Sequence, residues 1–445
     1  MEIKIYNSLT NKIENFKPLV DGNVSMYVCG PTVYNYVHIG NMRPVVVFDT
    51  FRKFLKYIGY NVKYVSNYTD VDDKIINRAL ELNISEKEVT EMYIQAFEED
   101  LRNIHAEKPD ITPRVTEYMP QIIRFIEDLV SKDAAYVING DVYFRVSKIS
   151  DYGVLSNTKL DDLLVGARID ENSKKESPLD FTLWKHTDVG IKWDSPWSKG
   201  RPGWHTECVV MINSLFPNGL IDIHGGGFDL KFPHHENEIA QAKACKCNKL
   251  ANYWMHNGFI NINNEKMSKS LGNVVTAHDA LKNYGGNNVR LLLISTHYRA
   301  PVNFSSDQLT ANNAEINKMI NIMKQLAVKL QLNDVDLSKQ KATYIAPFLN
   351  ALADDLNTAN ALSELFNVIK LANQNLRQKD VDLEVIGGLF KTLKDELDIL
   401  GLEISYPILD KEDKKLLNDY HNAKTNKDFA LSDTLRAKLI EKNIL

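Results

Sequence analysis

Val24-Ser-Met-Tyr-Val-Cys29, closed by Gly30-Pro31, is followed by Val45-Val-Val-Phe48 with Phe51, Phe54 and Leu55. These two stretches decide how the front of the chain folds. The first is short, apolar and stopped by Gly-Pro, so it reads as a buried strand. The second spaces its apolar residues as a helix does and closes at Tyr57-Ile-Gly-Tyr60. Asn61-Val-Lys-Tyr-Val65 then alternates like a strand. Strand, helix, strand is a βαβ unit, which implies a parallel α/β sheet. Further along, Leu220-Ile-Asp-Ile-His224 reads as another buried strand, running into Gly225-Gly-Gly227.

Between these parts the pattern changes. From roughly Thr116 to Trp184 an amphipathic helix (Ile122, Ile123, Phe125, Ile126, Leu129) precedes two strand-like runs, Tyr136-Val-Ile and Val142-Tyr-Phe. The polar loop Asp170-Glu-Asn-Ser-Lys-Lys-Glu176 follows, and the whole reads as an insertion. Beyond Ser305 the signal is helical. Leu309, Ile316, Met319, Ile320, Met323 and Leu330 form one stripe, and Leu349, Leu352, Leu356, Leu362, Phe366 and Ile369 another. Such stripes read as bundle core.

The chain has 445 residues, 44% hydrophobic and 25% charged, so it holds roughly two to four domains and is not a disordered chain. No apolar run reaches the ~18 residues of a membrane span, and Met-Glu-Ile-Lys-Ile lacks a signal peptide's apolar core. Four cysteines, Cys29, Cys208, Cys245 and Cys247, are too few for a disulfide framework, so a reducing cytoplasm is expected. The net charge of −5 argues against a protein coated in basic residues but leaves room for a local nucleic-acid patch.

Two segments carry the chemistry of an anion site. Pro31-Thr-Val-Tyr-Asn-Tyr-Val-His-Ile-Gly-Asn41 leads from the first strand into the helix, whose N-terminus offers free N–H groups and a positive dipole. His38 and Asn41 bracket Gly40, which permits close backbone approach to a nucleotide. A plain capping turn explains the same residues. Lys266-Met-Ser-Lys-Ser270, before Leu271-Gly-Asn273, puts Lys266 and Lys269 three apart on a loop that could clamp a polyphosphate; alone, it reads rather as a solvated surface run, and only its pairing with the first segment reverses that.

A third constellation suits a metal. His234 and Glu238 are four apart and share a helix face, while Cys29 ends the first strand and Cys208 follows Trp204-His-Thr-Glu. Two S, one N and one O donor suit zinc. His235, three from Glu238, competes with His234. Cys245-Lys-Cys247 lacks finger spacing and reads as incidental. Asp72-Asp73 reads as a solvated loop or a catalytic carboxylate pair. Judged alone, Trp204 is a core residue, His224 is undecided, and Gly225–Gly227 are a tight turn or a place of close ligand approach.

Taken together, the Pro31–Asn41 and Lys266–Ser270 segments resemble the HIGH and KMSKS signatures of class I aminoacyl-tRNA synthetases. Tyr27–Asn41, Arg201-Pro-Gly-Trp-His-Thr-Glu-Cys208 and His224-Gly-Gly-Gly-Phe-Asp-Leu-Lys-Phe-Pro-His-His-Glu-Asn-Glu238 resemble the cysteinyl-tRNA synthetase family in particular. The resemblance spans nearly the whole chain; Asn41 stands where the signature's fourth residue is usually His. It implies an α/β fold: a Rossmann-like parallel-sheet catalytic domain with an inserted connective domain, followed by an α-helical anticodon-binding domain. The expected division is 1–115 and 200–258 for the two catalytic halves and 116–199 for the insertion. It continues with 259–308 for the KMSKS loop and stem-contact region, 309–405 for the helical bundle around Asp354–Ala359, and 406–445 for a small C-terminal region.

The reaction implied is cysteine activation by ATP to cysteinyl-adenylate, then transfer to the terminal adenosine of tRNA(Cys). His38, Asn41, Lys266 and Lys269 are the expected catalytic residues, with Gly40, Gly226, His38 and Lys269 on ATP. Thr69, Trp204 and His224 are expected pocket wall. Cys29, Cys208, His234 and Glu238 are the expected ligands of one zinc per subunit, which selects cysteine over serine because an apolar pocket discriminates such neighbours by only ~1–3 kcal/mol. Magnesium is expected with ATP, and a cytoplasmic monomer without membrane contact. Relatives usually continue past a helix like Ser432–Leu439 into a short tail, and this chain stops at Leu445, so the resemblance does not by itself imply full docking of the anticodon end. From Gly401 to Leu445 eight basic residues balance eight acidic ones, so RNA binding there rests on the resemblance alone. Two rivals remain: a mycothiol-pathway cysteine ligase, which keeps the adenylation site but lacks the long helical region, and a non-catalytic RNA-binding paralogue, against which the intact phosphate clamp argues. A small-molecule nucleotidyltransferase is more distant still, lacking the second lysine motif.

Overall fold

The structure, a computed structural model, describes residues 1–158, 175–245, 249–268 and 271–445. Asp170–Lys174 of the polar loop, Cys247, Lys269 and Ser270 lie outside the described residues. The chain divides into two compact units: Glu2–Gly286 with Tyr298–Phe304, and Asn287–His297 with Ser305–Leu445. Among the described residues no helix is long and apolar enough to cross a membrane.

The first unit is built on a four-stranded parallel sheet in the order Ala251–Asn257, Ile221–Gly227, Asn23–Val28, Asn61–Ser66. Tyr27 pairs with His224 and Val28 with Gly225. The chain leaves Asn23–Val28 toward Asn61–Ser66 on one side, and Ile221–Gly227 lies on the other. The strand order therefore reverses between Asn23–Val28 and Ile221–Gly227. Ligands of open α/β sheets bind beyond the carboxyl ends of the strands at such a reversal.

The crossover helix runs Ile39–Tyr57, so it opens before the apolar run at Val45 and takes Gly40 and Asn41 into its first turn. A contact distant in sequence sets that start: Ile39 N donates to the Val275 carbonyl (2.9 Å) and Ala277 N to that of Val37 (2.8 Å). Met42, Val46, Phe48, Phe51, Phe54 and Leu55 give this helix its buried face. Of the two readings of the three glycines, the tight turn is not what forms: they continue the Ile221–Gly227 strand. A Cβ on Gly225 would lie 2.1 Å from the Phe48 ring. Glycine there lets the helix settle onto the sheet.

The inserted stretch folds as an antiparallel meander, Ala135–Ile138, Asp141–Phe144, Phe181–His186 and Gly200–Pro202, and the helix Met119–Ser131 shares its apolar core. A third sheet joins Ile260–Ile262 to Glu265–Lys266 in a hairpin and to Val302–Phe304 in parallel. Asn263 and Asn264 turn that hairpin with positive φ (49° and 68°), as a two-residue turn demands.

The second unit is helical: Ser306–Leu332, Ala346–Ala353, Thr358–Leu376 and Leu383–Leu400, then the pair Lys411–Thr425 and Phe429–Glu441. The two expected stripes are largely buried, except that Ile320 and Phe366 are only half-buried while Ile322 and Leu365 take core positions. The second stripe is split between two helices, with Asn357 capping the later one. Gly401 ends Leu383–Leu400 in the left-handed region (φ 69°), returning its N–H to Asp398.

Candidate active site and metal centre

Cys29 follows the first strand at the carboxyl edge of the sheet. Cys208 lies in the first turn of the helix Glu207–Leu215, and Glu238 in the first turn of Glu236–Ala244, with His234 just before it. The four donor atoms lie within 4.8 Å of one another. Cys29 Sγ is 3.6 Å from Cys208 Sγ and 3.8 Å from Glu238 Oε1. Cys208 Sγ is 3.8 Å from His234 Nε2, which is 2.9 Å from Glu238 Oε1. A tetrahedral zinc, with bonds of about 2.3 Å to sulfur and about 2.0 Å to nitrogen or oxygen, spaces its donors by about 3.3 to 3.8 Å.

The charges agree with that geometry. The hydrogen bond with Cys29, aided by His234, brings the Cys208 thiol down to about 6 against the effect of burial. Burial and the neighbouring Cys208 push Cys29 well up. A bound divalent cation would favour the thiolate form of both sulfurs. Burial opposes the charge on His234, yet Glu238 and Cys208 outweigh it and raise the imidazole to about 10. Burial likewise opposes ionised Glu238, but His224 and His234 hold it well below the usual carboxylate range.

The backing of the site was not readable from spacing. His224 is fully buried and its Nε2 meets Glu238 Oε2 at 2.7 Å, so it stands behind the donor set and orients the carboxylate. His235 reaches Cys29 with Nε2 (3.3 Å), while its Nδ1 meets His256 (2.8 Å), which in turn meets Ser8 (2.9 Å). Cys29, His224, His235 and Glu238 form a second donor group, so the competition between His234 and His235 is real in space as well as in sequence. His205 Nδ1 lies 3.1 Å from His234 Nδ1, and burial, then His234, brings His205 down to about 3.

Around this cluster the other expected residues find their places. Trp204 is no core residue: it is 40% exposed and stacks on His234 at 4.2 Å. Thr69 is buried at the end of the neighbouring strand and donates to Glu207 Oε2 (3.0 Å). Glu207 precedes Cys208 in sequence, and no spacing signal marks it as part of the site. Asp72 and Asp73 have structural duties. Asp72 caps a helix by accepting from Lys74 N (2.8 Å), and Asp73 pairs with Lys185 and Arg201.

The two anion segments meet. His38 is the N-cap residue of Ile39–Tyr57, with Gly40 and Asn41 in its first turn, and a Cβ on Gly40 would stand 3.0 Å from Met267 Cε. His38 also forms a β-bridge with Thr276, beyond the second segment. Lys266 is exposed on its hairpin, and Asn273 braces the loop by donating to the Lys266 carbonyl and accepting from Ser268 N. Gly226 pairs with His256 on the adjacent strand. Cys245 is buried in the core around Trp254.

The parallel sheet with its site at the strand reversal matches the family described as tRNA synthetases class I (C) catalytic domain over residues 15–314, and the helical unit matches the DALR domain over 347–405. The chain is thus of the class I aminoacyl-tRNA synthetase type. Solved structures agree on the fold. A Mycobacterium tuberculosis methionyl-tRNA synthetase with methionyl-adenylate superposes with a TM-score of 0.62 at 13% identity, covering 92% of this chain and 96% of that one. A putative arginyl-tRNA synthetase from Campylobacter jejuni gives 0.57 at 14%, covering 86% and 93%. Two curated relatives, the cysteine--tRNA ligases of Bacillus cereus (strain B4264) and Bacillus anthracis (strain A0248), are each 47% identical over 100% of this chain and 97% of theirs. The chain belongs to the cysteine--tRNA ligase family, and its activity is that ligation, with an amino acid, ATP and tRNA as substrates. Its Cys/His cluster is compatible with zinc.

Proposed function

We propose that the enzyme, a cytoplasmic monomer, selects L-cysteine by its thiolate and attaches it to the terminal adenosine of tRNA(Cys). The observation that carries this reading is the convergence of Cys29, Cys208, His234 and Glu238 within 4.8 Å at the strand reversal. When bound there, zinc supplies a soft Lewis-acid site that a thiolate satisfies and a hydroxyl does not. His224 fixes the Glu238 carboxylate, and Trp204, stacked on His234, with Thr69 beside Glu207, walls the amino-acid side. The N-terminus of Ile39–Tyr57, with His38, Gly40 and Asn41, holds the triphosphate beside Gly226. Lys266 and Lys269, with magnesium, neutralise charge on the departing pyrophosphate as the cysteine carboxylate attacks the α-phosphate. Residues 1–115 and 200–258 supply the catalytic domain, 116–199 the connective insertion and 259–308 the second signature loop. Residues 309–405 grip the anticodon arm, and 406–445 form a small C-terminal region.

Charging of tRNA(Cys) with labelled cysteine, measured with and without a zinc chelator, tests the assignment. Charging should collapse on chelation while serine activation rises relative to cysteine; an unchanged preference in metal-stripped enzyme would refute the thiolate role. Lys269→Ala should slow adenylation by ~100-fold or more, as does loss of one transition-state donor elsewhere, with little change in cysteine affinity. Exchange of pyrophosphate without charging would point instead to an amino-sugar ligase.

A further inference from the structure

The strands Ile221–Gly227 and Ala251–Asn257 end side by side, Gly227 opposite Asn257. Just beyond them stand Phe228 and, after Gly258, Phe259. Their rings meet edge to face at 5.4 Å, yet they remain 50% and 40% exposed. Scattered exposed apolar residues need no explanation, but this pair has three further features. Its position is fixed: the Phe259 carbonyl accepts from Nη1 of Arg43 (2.9 Å) and from Val302 N (3.0 Å), and Arg43 is a buried residue of the helix that carries Gly40 and Asn41. Each ring has a cation over it, Lys231 Nζ at 5.9 Å from the Phe228 centroid and Lys266 Nζ at 5.7 Å from that of Phe259. And the pair lies at the carboxyl edge of the sheet, where ligands of this architecture bind.

Flat aromatic faces beside lysines match one chemistry, a purine ring joined to phosphate. Bases stack on aromatic side chains without regard to hydrogen-bond pattern, and lysines meet the phosphates as point charges. We propose that Phe228 and Phe259 form a stacking platform for an adenosine nucleotide, with Lys231 and Lys266 at its phosphate side. This deepens the reading that ATP lies along Gly226 and Lys266 and rests on it. Two substrates of the enzyme carry that chemistry, ATP and the terminal adenosine of tRNA.

The test uses the full-length enzyme with Phe228→Ala, Phe259→Ala and both, each beside Phe→Tyr and Phe→Leu at the same position. One arm measures KM for ATP in pyrophosphate exchange without tRNA; the other measures transfer from pre-formed adenylate to tRNA in a single turnover. A platform for ATP raises KM for ATP by ~10-fold or more in the alanine variants, and one for the RNA terminus weakens tRNA in transfer by a like factor. In either case Tyr restores function and Leu does not. Values within twofold of wild type in both arms overturn the platform, as does full rescue by Leu, which would leave mere apolar contact. Lys266→Ala in the same assays separates the two readings: if it leaves exchange untouched, the placement of ATP itself is wrong, whatever the Phe variants show. Melting temperatures should not move, because both rings are half in solvent.

Discussion

Two sulfurs 3.6 Å apart, with an imidazole and a carboxylate closing the set, suit a zinc ion, and the proposed site makes a separate prediction for each residue. Cys208→Ser should abolish stoichiometric zinc, read by elemental analysis after dialysis against a graded chelator. His234→Ala should do the same, whereas His235→Ala should keep the metal; the reverse result would assign the ion to the group containing His224 and His235. His224→Ala should weaken zinc by about 10- to 100-fold, as losing the partner of a ligating carboxylate does. That Cys29, Cys208, His234 and Glu238 could converge was legible in the sequence, from an i, i+4 pair and two cysteines, but the preference for His234 over His235 comes only from the family resemblance. Their backing was not legible. The bond from His224 to Glu238 and the chain from His235 through His256 to Ser8 join strands, helices and an N-terminal turn far apart in the chain, and no local spacing encodes that.

At the level of elements, Gly225 shows how one missing Cβ lets a helix lie on its sheet. Gly225→Ala would press a methyl into the Phe48 ring at 2.1 Å and should cost about 1 to 3 kcal/mol of stability by overpacking. Phe48→Leu in the same chain should recover part of it in denaturant titration, and failure of any rescue would show that backbone strain is the cause. The helix Leu383–Leu400 carries a different burden. Glu396 is fully buried, and burial, with Glu364 and Asp395 nearby, pushes its carboxyl up to about 9 from 4.5. The folded state therefore keeps a proton that the unfolded chain has already released. Stability should fall as pH rises from about 4.5 to about 9, by about 1.4 kcal/mol per unit for this group. Glu396→Gln should flatten that fall in thermal melts; an unchanged slope would place the titration elsewhere. The alternation of strand and helix was readable from Val24 onward, since apolar period decides it. The true helix start at Ile39 was not, because backbone bonds to Val275 and Val37, not a local cap, place it there.

For the molecule as a whole, a net charge of −5 coexists with an RNA substrate, so contact must come from limited groups of cations against an otherwise repulsive surface. KM for tRNA should accordingly rise at least about tenfold between about 50 and about 200 mM salt, because binding releases counterions and added salt opposes that release. KM for cysteine, a zwitterion, should stay nearly constant in exchange assays under the same change. Insensitivity of tRNA binding to salt would mean recognition by shape and base contacts alone. The bridge from His38 to Thr276 bears on kinetics in another way. Glu265–Lys266 is held in its hairpin, and the chain is pinned again at Val275, which accepts from Ile39 N at the start of the helix proposed to hold the triphosphate. Lys266, held in this way, should meet a bound phosphate at an effective concentration on the order of millimolar, which falls roughly as the −3/2 power of tether length. The bridge thus sets a local concentration of positive charge, one that lengthening the loop would dilute without altering a single contact.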